Sequence, residues 1–134
     1  MAWTLLYLEI FKEWLDAQSE EMQDEALAHL ELLKERGPLL SRPYADTLKG
    51  SKQPNLKELR FTFNGAPIRI LFIFDPKQQG VIILAGDKTG DKRWYDTNIP
   101  IAEKLYAAHL DKQKREDAAE AEKEKKQKDK GKLR

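Results

Sequence analysis

Between Lys57 and Lys88 the chain carries three apolar or alternating segments whose connections are too short to be anything but turns. Lys57 to Phe63 alternates, Pro67 to Phe74 alternates and then becomes wholly apolar, and Val81 to Lys88 stays apolar as far as Gly86. Asn64-Gly65 separates the first two, and Asp75-Pro76 with Gly80 separates the next two; these are turn-forming residues with a physical reason, tolerance of positive φ or a preset φ. Parallel neighbours would need a crossover of about a dozen residues or more. The spacing therefore predicts an antiparallel sheet.

What precedes and follows this sheet reads as helix. Trp3 to Tyr7 predicts a short first strand. Leu8, Phe11, Trp14 and Leu15 fall at helical spacing. Ser19 is placed as an N-cap ahead of Glu20 and Glu21, and Met22, Ala26, Leu30 and Leu33 form one apolar face up to the Gly37-Pro38 stop. A long connection, residues 37–56, is made basic by Arg42, Lys49 and Lys52. Asn98 as cap and Pro100 in the first turn open a last helix, with Ala102, Leu105, Tyr106 and Leu110 as its stripe. The expected class is α+β: two N-terminal helices packed on a small, mostly antiparallel sheet, then a C-terminal helix and a charged tail. Residues 1–110 form the domain. Residues 111–134 are Lys, Glu, Asp, Ala and Gln for the most part, a solvated helix or a disordered tail.

With no cysteine, disulfide frameworks and thiol nucleophiles are excluded. No apolar run approaches the ~18 residues of a membrane span, and Glu9 interrupts the N-terminal apolar stretch. A cytoplasmic protein without membrane contact is expected. Charge is unevenly spread. Residues 1–36 carry three Lys/Arg against nine acids, whereas residues 37–98 carry ten against six. A basic middle attracts polyanions, and the acidic front suits a basic segment of a partner.

Alternation assigns the sheet faces. Pairing Phe63 with Ile68 across the turn sets Thr62 opposite Arg69 and Arg60 opposite Leu71. Leu59, Phe61, Phe63, Ile68, Ile70 and Phe72 then share an apolar face for the helices. Arg60 and Arg69 are diagonal neighbours on the other, within reach of one anion. Pairing Phe74 with Val81 adds Val81, Ile83 and Ala85 to the apolar face. It sets Gly86 opposite Arg69, leaving open space there, with Lys88 at the strand end. Two adjacent arginines repel unless Glu58, Asp75 or Asp87 neutralises them or a ligand does. Guanidinium forks suit phosphodiester oxygens.

Lys88, Lys92 and Arg93 surround Gly90 and lead into Trp94 and Tyr95. Cations can hold phosphates while aromatics stack on bases. Trp94 can instead plug the core edge. The run lacks the spacing and following helix of a Walker loop. His29 and His109 stand alone on helices, and no metal site or cofactor is expected.

The segments Leu48-Lys49-Gly50-Ser51, Leu56-Lys57-Glu58-Leu59-Arg60, Ile68-Arg69-Ile70-Leu71-Phe72 and Ala85-Gly86-Asp87-Lys88 resemble those of the phage-derived Gp49-like toxins. So does the run through Trp94-Tyr95, Asn98-Ile99-Pro100, Ala102-Glu103, Tyr106 and His109-Leu110. This family belongs with the HigB-type branch of the RelE/ParE superfamily, and the resemblance spans about Trp3 to Leu110. It implies an mRNA endoribonuclease that needs no metal, acts on translated mRNA at the ribosome and is restrained by a cognate antitoxin, often a helix-turn-helix protein. In such enzymes the RNA's 2′-OH attacks the adjacent phosphate.

By that resemblance Arg69 is the phosphate-binding arginine. Lys57 and Arg60 match the basic residues of the preceding strand, Lys88 the basic strand end, and Tyr95 the late tyrosine that stacks or moves a proton. Strict alternation puts Lys57 on the apolar side. No histidine is expected near these positions, so Lys57 or Lys88 is the candidate base, with Arg60 and Arg69 as clamp. Lys49, Lys52, Lys92, Arg93 and Trp94 are candidate RNA contacts. Two other readings stay open. One is a ParE-like toxin acting on a protein such as a DNA topoisomerase, and the other is a non-catalytic RNA-binding regulator.

Overall fold

The computed structural model describes residues 2–132. Strand β1 (Leu5–Tyr7) leads into helices α1 (Glu9–Asp16) and α2 (Glu20–Arg36), and a single 3-10 turn (Gly37–Leu39) follows. Strands β2 (Ala45–Thr47), β3 (Lys57–Phe63), β4 (Ala66–Phe74) and β5 (Gly80–Asp87) precede the 39-residue helix α3 (Trp94–Lys132). The strands form one sheet in the order β1-β5-β4-β3-β2. Only β1 runs parallel, along β5; the other pairs are antiparallel. The fold is α+β, as the turn spacing requires. Among the described residues no helix is long and apolar enough to cross a membrane.

The helices bury the faces that their periodicity marks. Ser19 Oγ accepts the Met22 backbone N–H at 3.2 Å, satisfying one orphan donor of α2. Met22, Ala26, Leu30 and Leu33 are buried, and Tyr7, Phe11 and Trp14 form a ring chain beneath α1 at 5.8 and 6.0 Å. Leu59, Phe61, Ile68, Ile70 and Phe72 meet them in one core, with Phe63 packed at its margin. Gly37 ends α2 at φ +57°, and a Cβ there would fall within 2.5 Å of two more atoms of the Trp3 indole besides Nε1. A Gly37→Ala protein is therefore expected to lose at least about 1–3 kcal/mol from backbone strain alone. A thermal melt checks this, and an unchanged midpoint would contradict the packing.

The register differs from the expected one in two places. Asn64 and Gly65 both have positive φ, +48° and +79°, which is the two-residue hairpin turn favoured by strand twist. Phe63 thus pairs with Ala66, not Ile68, and Arg60 stands directly opposite Arg69. A shift of two residues moves the partners but keeps the faces. In β5 a bulge intervenes. Leu71 pairs with Leu84 but Phe72 with Ile82, leaving Ile83 unopposed. Ile82, and not Val81 or Ile83, consequently joins the core under α1 and α2. Gly86 does lie opposite Arg69.

The strand β2, inside what reads as a long loop, was not foreseen. Nor was the start of α3. The Asp91 side chain accepts from Arg93 N–H and its carbonyl from Trp94 N–H, so Asp91 and not Asn98 organises the helix start. Asn98 donates to the Trp94 carbonyl at 2.8 Å, and Pro100 is interior. Burial of Trp94 draws the helix back to that residue. The compact unit holding the sheet extends to Glu103, and a second unit begins at Lys104. Within the latter, α3 continues through the charged segment to Lys132, and Tyr106 stacks near His109. The last residues of the expected tail, 133 and 134, lie outside the described residues.

Candidate functional site

On the sheet face opposite α1 and α2, the pairing brings two guanidinium groups together. Glu58 and Arg60 share that face by alternation, and Arg69 stands across from Arg60. Glu58 Oε1 lies 3.7 Å from Arg60 Nε and 3.9 Å from Arg69 Nε. Glu58 and Arg69 are only 4% and 8% exposed. The carboxylate is what lets two arginines sit side by side in a buried place, because it offsets one of the two positive charges. The other oxygen of Glu58, Oε2, is buried and has no hydrogen-bond partner among the described residues.

The arginines are held differently. Arg69 donates from Nη1 to the Ile68 carbonyl at 3.0 Å and from Nε to the Tyr95 hydroxyl at 3.2 Å. Arg60 is more exposed and reaches a second carboxylate, Asp46 Oδ2, at 3.8 Å. That oxygen already accepts two bonds from Arg42, at 2.7 and 2.9 Å. The Arg42 bond is the main reason the Asp46 carboxyl falls below its ordinary range. Both contacts of Arg60 are ion pairs longer than hydrogen bonds, so this guanidinium is held more loosely than that of Arg69.

Tyr95 closes the site from the start of α3. Burial pushes its hydroxyl above the ordinary range and the Glu58 carboxylate adds to this, while Arg69 opposes it. Lys88 Nζ sits 5.1 Å from the centre of the Tyr95 ring. A cavity of about 330 Å³ opens between Leu48, Lys49, Glu58, Arg60 and Tyr95. The segment bearing Lys49 is fastened to α3, because Glu103 Oε2 accepts from Ser51 Oγ and from the backbone N–H groups of Lys52 and Gln53.

Of the residues singled out in the sequence, Arg60, Arg69, Lys88 and Tyr95 therefore converge, and Lys49 lines the same space. Lys57 does not join them. Its ammonium donates to the Pro38 carbonyl at 3.4 Å, on the opposite side of the sheet. Lys52 contributes its backbone, and Lys92 and Arg93 are exposed in the approach to α3. Trp94 is a correction. It is 5% exposed, and its indole lies where a Cβ on Gly86 would be, 2.8 Å from Nε1. The space that Gly86 leaves open on its own strand is filled by this ring, so Trp94 is a core residue with no face for a base.

Three contributors were missed. In the sequence Glu58 reads only as a neutralising neighbour, although its two-residue offset from Arg60 places it on the same face. Asp46 belongs to the unforeseen β2. His29 lines a second cavity together with Arg60 and Arg69, although no histidine was expected nearby. Its position depends on where α2 crosses β3, which no local pattern encodes.

The family model "Phage derived protein Gp49-like" matches residues 13–107. Two Mycobacterium tuberculosis relatives are similar in sequence. "Putative toxin HigB2" is 40% identical over 105 residues, 77% of this chain and 52% of the relative. "Putative toxin HigB3" is 44% identical over 94 residues, 69% of this chain and 81% of the relative. The chain thus spans about half the length of the first and about four-fifths of the second. In fold it is similar to a free-state mutant of the Escherichia coli toxin RelE, with TM-score 0.52 at 14% identity over 69% of this chain and 90% of that one. The chain belongs to the phage-derived Gp49-like family, and its sequence relatives are HigB-type toxins.

Proposed function

We propose that this protein is the toxin of a toxin–antitoxin pair and cleaves translated mRNA at the arginine pair. The observation that carries the proposal is the direct opposition of Arg60 and Arg69 in register, with Glu58 wedged between them and Tyr95 bonded to Arg69. Two guanidinium groups on one spot favour the extra negative charge of a pentacoordinate phosphate over the singly charged diester. The names of the mycobacterial relatives support the toxin reading, and the family resemblance supports a restraining antitoxin and a cytoplasmic site of action.

The chemistry follows from the groups at hand. The 2′-oxygen forms a bond to phosphorus as its proton passes to a base, and the bond from phosphorus to the 5′-oxygen breaks as that oxygen takes up a proton. The products are a 2′,3′-cyclic phosphate and a free 5′-hydroxyl. This route takes its nucleophile from the RNA itself. Glu58 is assigned as base, since Oε2 lacks a partner. An anion that engages Arg60 draws it from Glu58 and uncovers the carboxylate. The raised Tyr95 hydroxyl stays protonated at neutral pH and serves as donor. Lys88 adds positive charge behind it.

An in vitro translation reaction with mRNA ends mapped tests this. The wild type is expected to leave 5′-hydroxyl ends within coding sequence. Glu58→Gln preserves the shape of the side chain and should slow cutting by about 10²–10⁴-fold, the usual contribution of a general base. Cutting by Glu58→Gln at the wild-type rate would remove Glu58 from that role.

A further inference from the structure

Arg60 borders two cavities, not one. The first holds Glu58, Lys49 and Tyr95. The second, about 380 Å³, lies at the outer edge of β3 and is lined by Glu25, His29, Tyr44 and Thr62 as well as Arg60 and Arg69. Its size is that of a small-molecule site. A phosphodiester carries a nucleoside on each side, and Arg60 lines two cavities, of which Arg69 lines the second. We infer that the second cavity receives and reads the base of the nucleotide that adjoins the scissile phosphate on the side away from Tyr95. This rests on the RNA-cleaving function proposed above and deepens it.

The walls have the chemistry of base recognition. Strand β2 covers β3 only from Lys57 to Leu59, and the Tyr44 carbonyl takes the Arg60 N–H. By alternation with Arg60, the N–H and C=O of Thr62 face outward at this uncovered edge. They offer one donor and one acceptor side by side. Tyr44 is 46% exposed, an aromatic surface beside them. His29 lies flat on Phe61, with ring centres 4.4 Å apart at 16°, and its Nδ1 is engaged with the Glu25 carbonyl at 2.9 Å. That leaves Nε2 as its remaining polar atom. Glu25 adds a half-exposed carboxylate. A carboxylate in the wall disfavours a second phosphate and favours the amino or imino groups of a base. An added peptide strand fits less well, because the outward-facing edge offers only Thr62 between Arg60 and the Asn64-Gly65 turn.

The test compares cut positions across a pool of transcripts under in vitro translation for the wild type, Glu25→Gln and Tyr44→Ala. Both side chains are exposed at the surface, and the hydrogen bond from Arg60 to the Tyr44 backbone survives either change. The expected result is about a tenfold weaker base preference at one of the two nucleotides flanking the cut, with the preference at the other retained. For Tyr44→Ala, about tenfold weaker binding of an oligonucleotide blocked at the 2′-oxygen should accompany it. A wild type that cuts, with both variants keeping its preferences, overturns the base-reading cleft and leaves the nuclease reading standing. Preferences that relax equally on both sides of the cut also overturn it. A wild type that cuts no RNA removes both.

Discussion

Replacing Arg69 with glutamine should lower RNA cleavage by about 10²–10³-fold, the size of effect seen when one preorganised group facing a transition-state oxyanion is removed. Arg69 is the better-fixed arginine, buried and tied to the Ile68 carbonyl and the Tyr95 hydroxyl. It pays little reorganisation on meeting a phosphate, whereas Arg60 must leave two carboxylates. The substitution also strips Glu58 of one of its two cationic neighbours. A loss of stability of about 1–3 kcal/mol is expected from that buried carboxylate alone. Growth arrest by itself would confuse the two effects. The double variant Glu58→Gln/Arg69→Gln separates them, since it should regain part of the stability and none of the cleavage. Cleavage by the well-folded Arg69→Gln protein within threefold of the wild type would end the claim that this guanidinium holds the reacting phosphate.

Trp94→Ala should be the most destabilising of the changes considered. Removing a buried aromatic costs about 3–5 kcal/mol. For a domain of this size each kcal/mol is worth about 4–8 °C in melting temperature, so a fall of at least about 12 °C is expected. An exposed base-stacking tryptophan would instead change RNA affinity and leave the melt within about 0.5 kcal/mol of the wild type. Calorimetry decides between them. The fit is tight from the other side too, because a Cβ on Gly86 would meet three atoms of the indole within 3.2 Å. Tyr95 follows Trp94 directly, so a loosened indole also misplaces the hydroxyl bonded to Arg69. Activity should fall with temperature well before the global melt.

The antiparallel sheet, both N-terminal helices and the burial pattern of α2 were legible because each rests on local periodicity and punctuation. The facial grouping of Arg60 with Arg69 was legible for the same reason, and it survived an error in register because that error was even. The bulge at Ile83 was not legible: Val81, Ile82 and Ile83 are all apolar and β-branched, so either side of the sheet accepts any of them. The Asn98–Pro100 pair imitates a helix start, and only the burial of Trp94 against Gly86 reveals that the helix begins earlier. Glu58 was within reach of the alternation argument. Its importance is not legible because an acid beside two arginines reads equally well as charge compensation. Lys57 goes the way alternation directs, away from the role that the resemblance implies for it.

The first strand lies along the last. Residues 5–7 pair with residues 80–82, so this edge of the sheet cannot be completed from the N-terminal half of the chain. Long-range pairings of this kind form late. During synthesis the nascent polypeptide can close its sheet only after β5 has emerged from the exit tunnel, and Arg69 meets Tyr95 later still. The site that joins Arg69 to Tyr95 is thus incomplete until translation of the sheet-bearing part and of the start of α3 is finished.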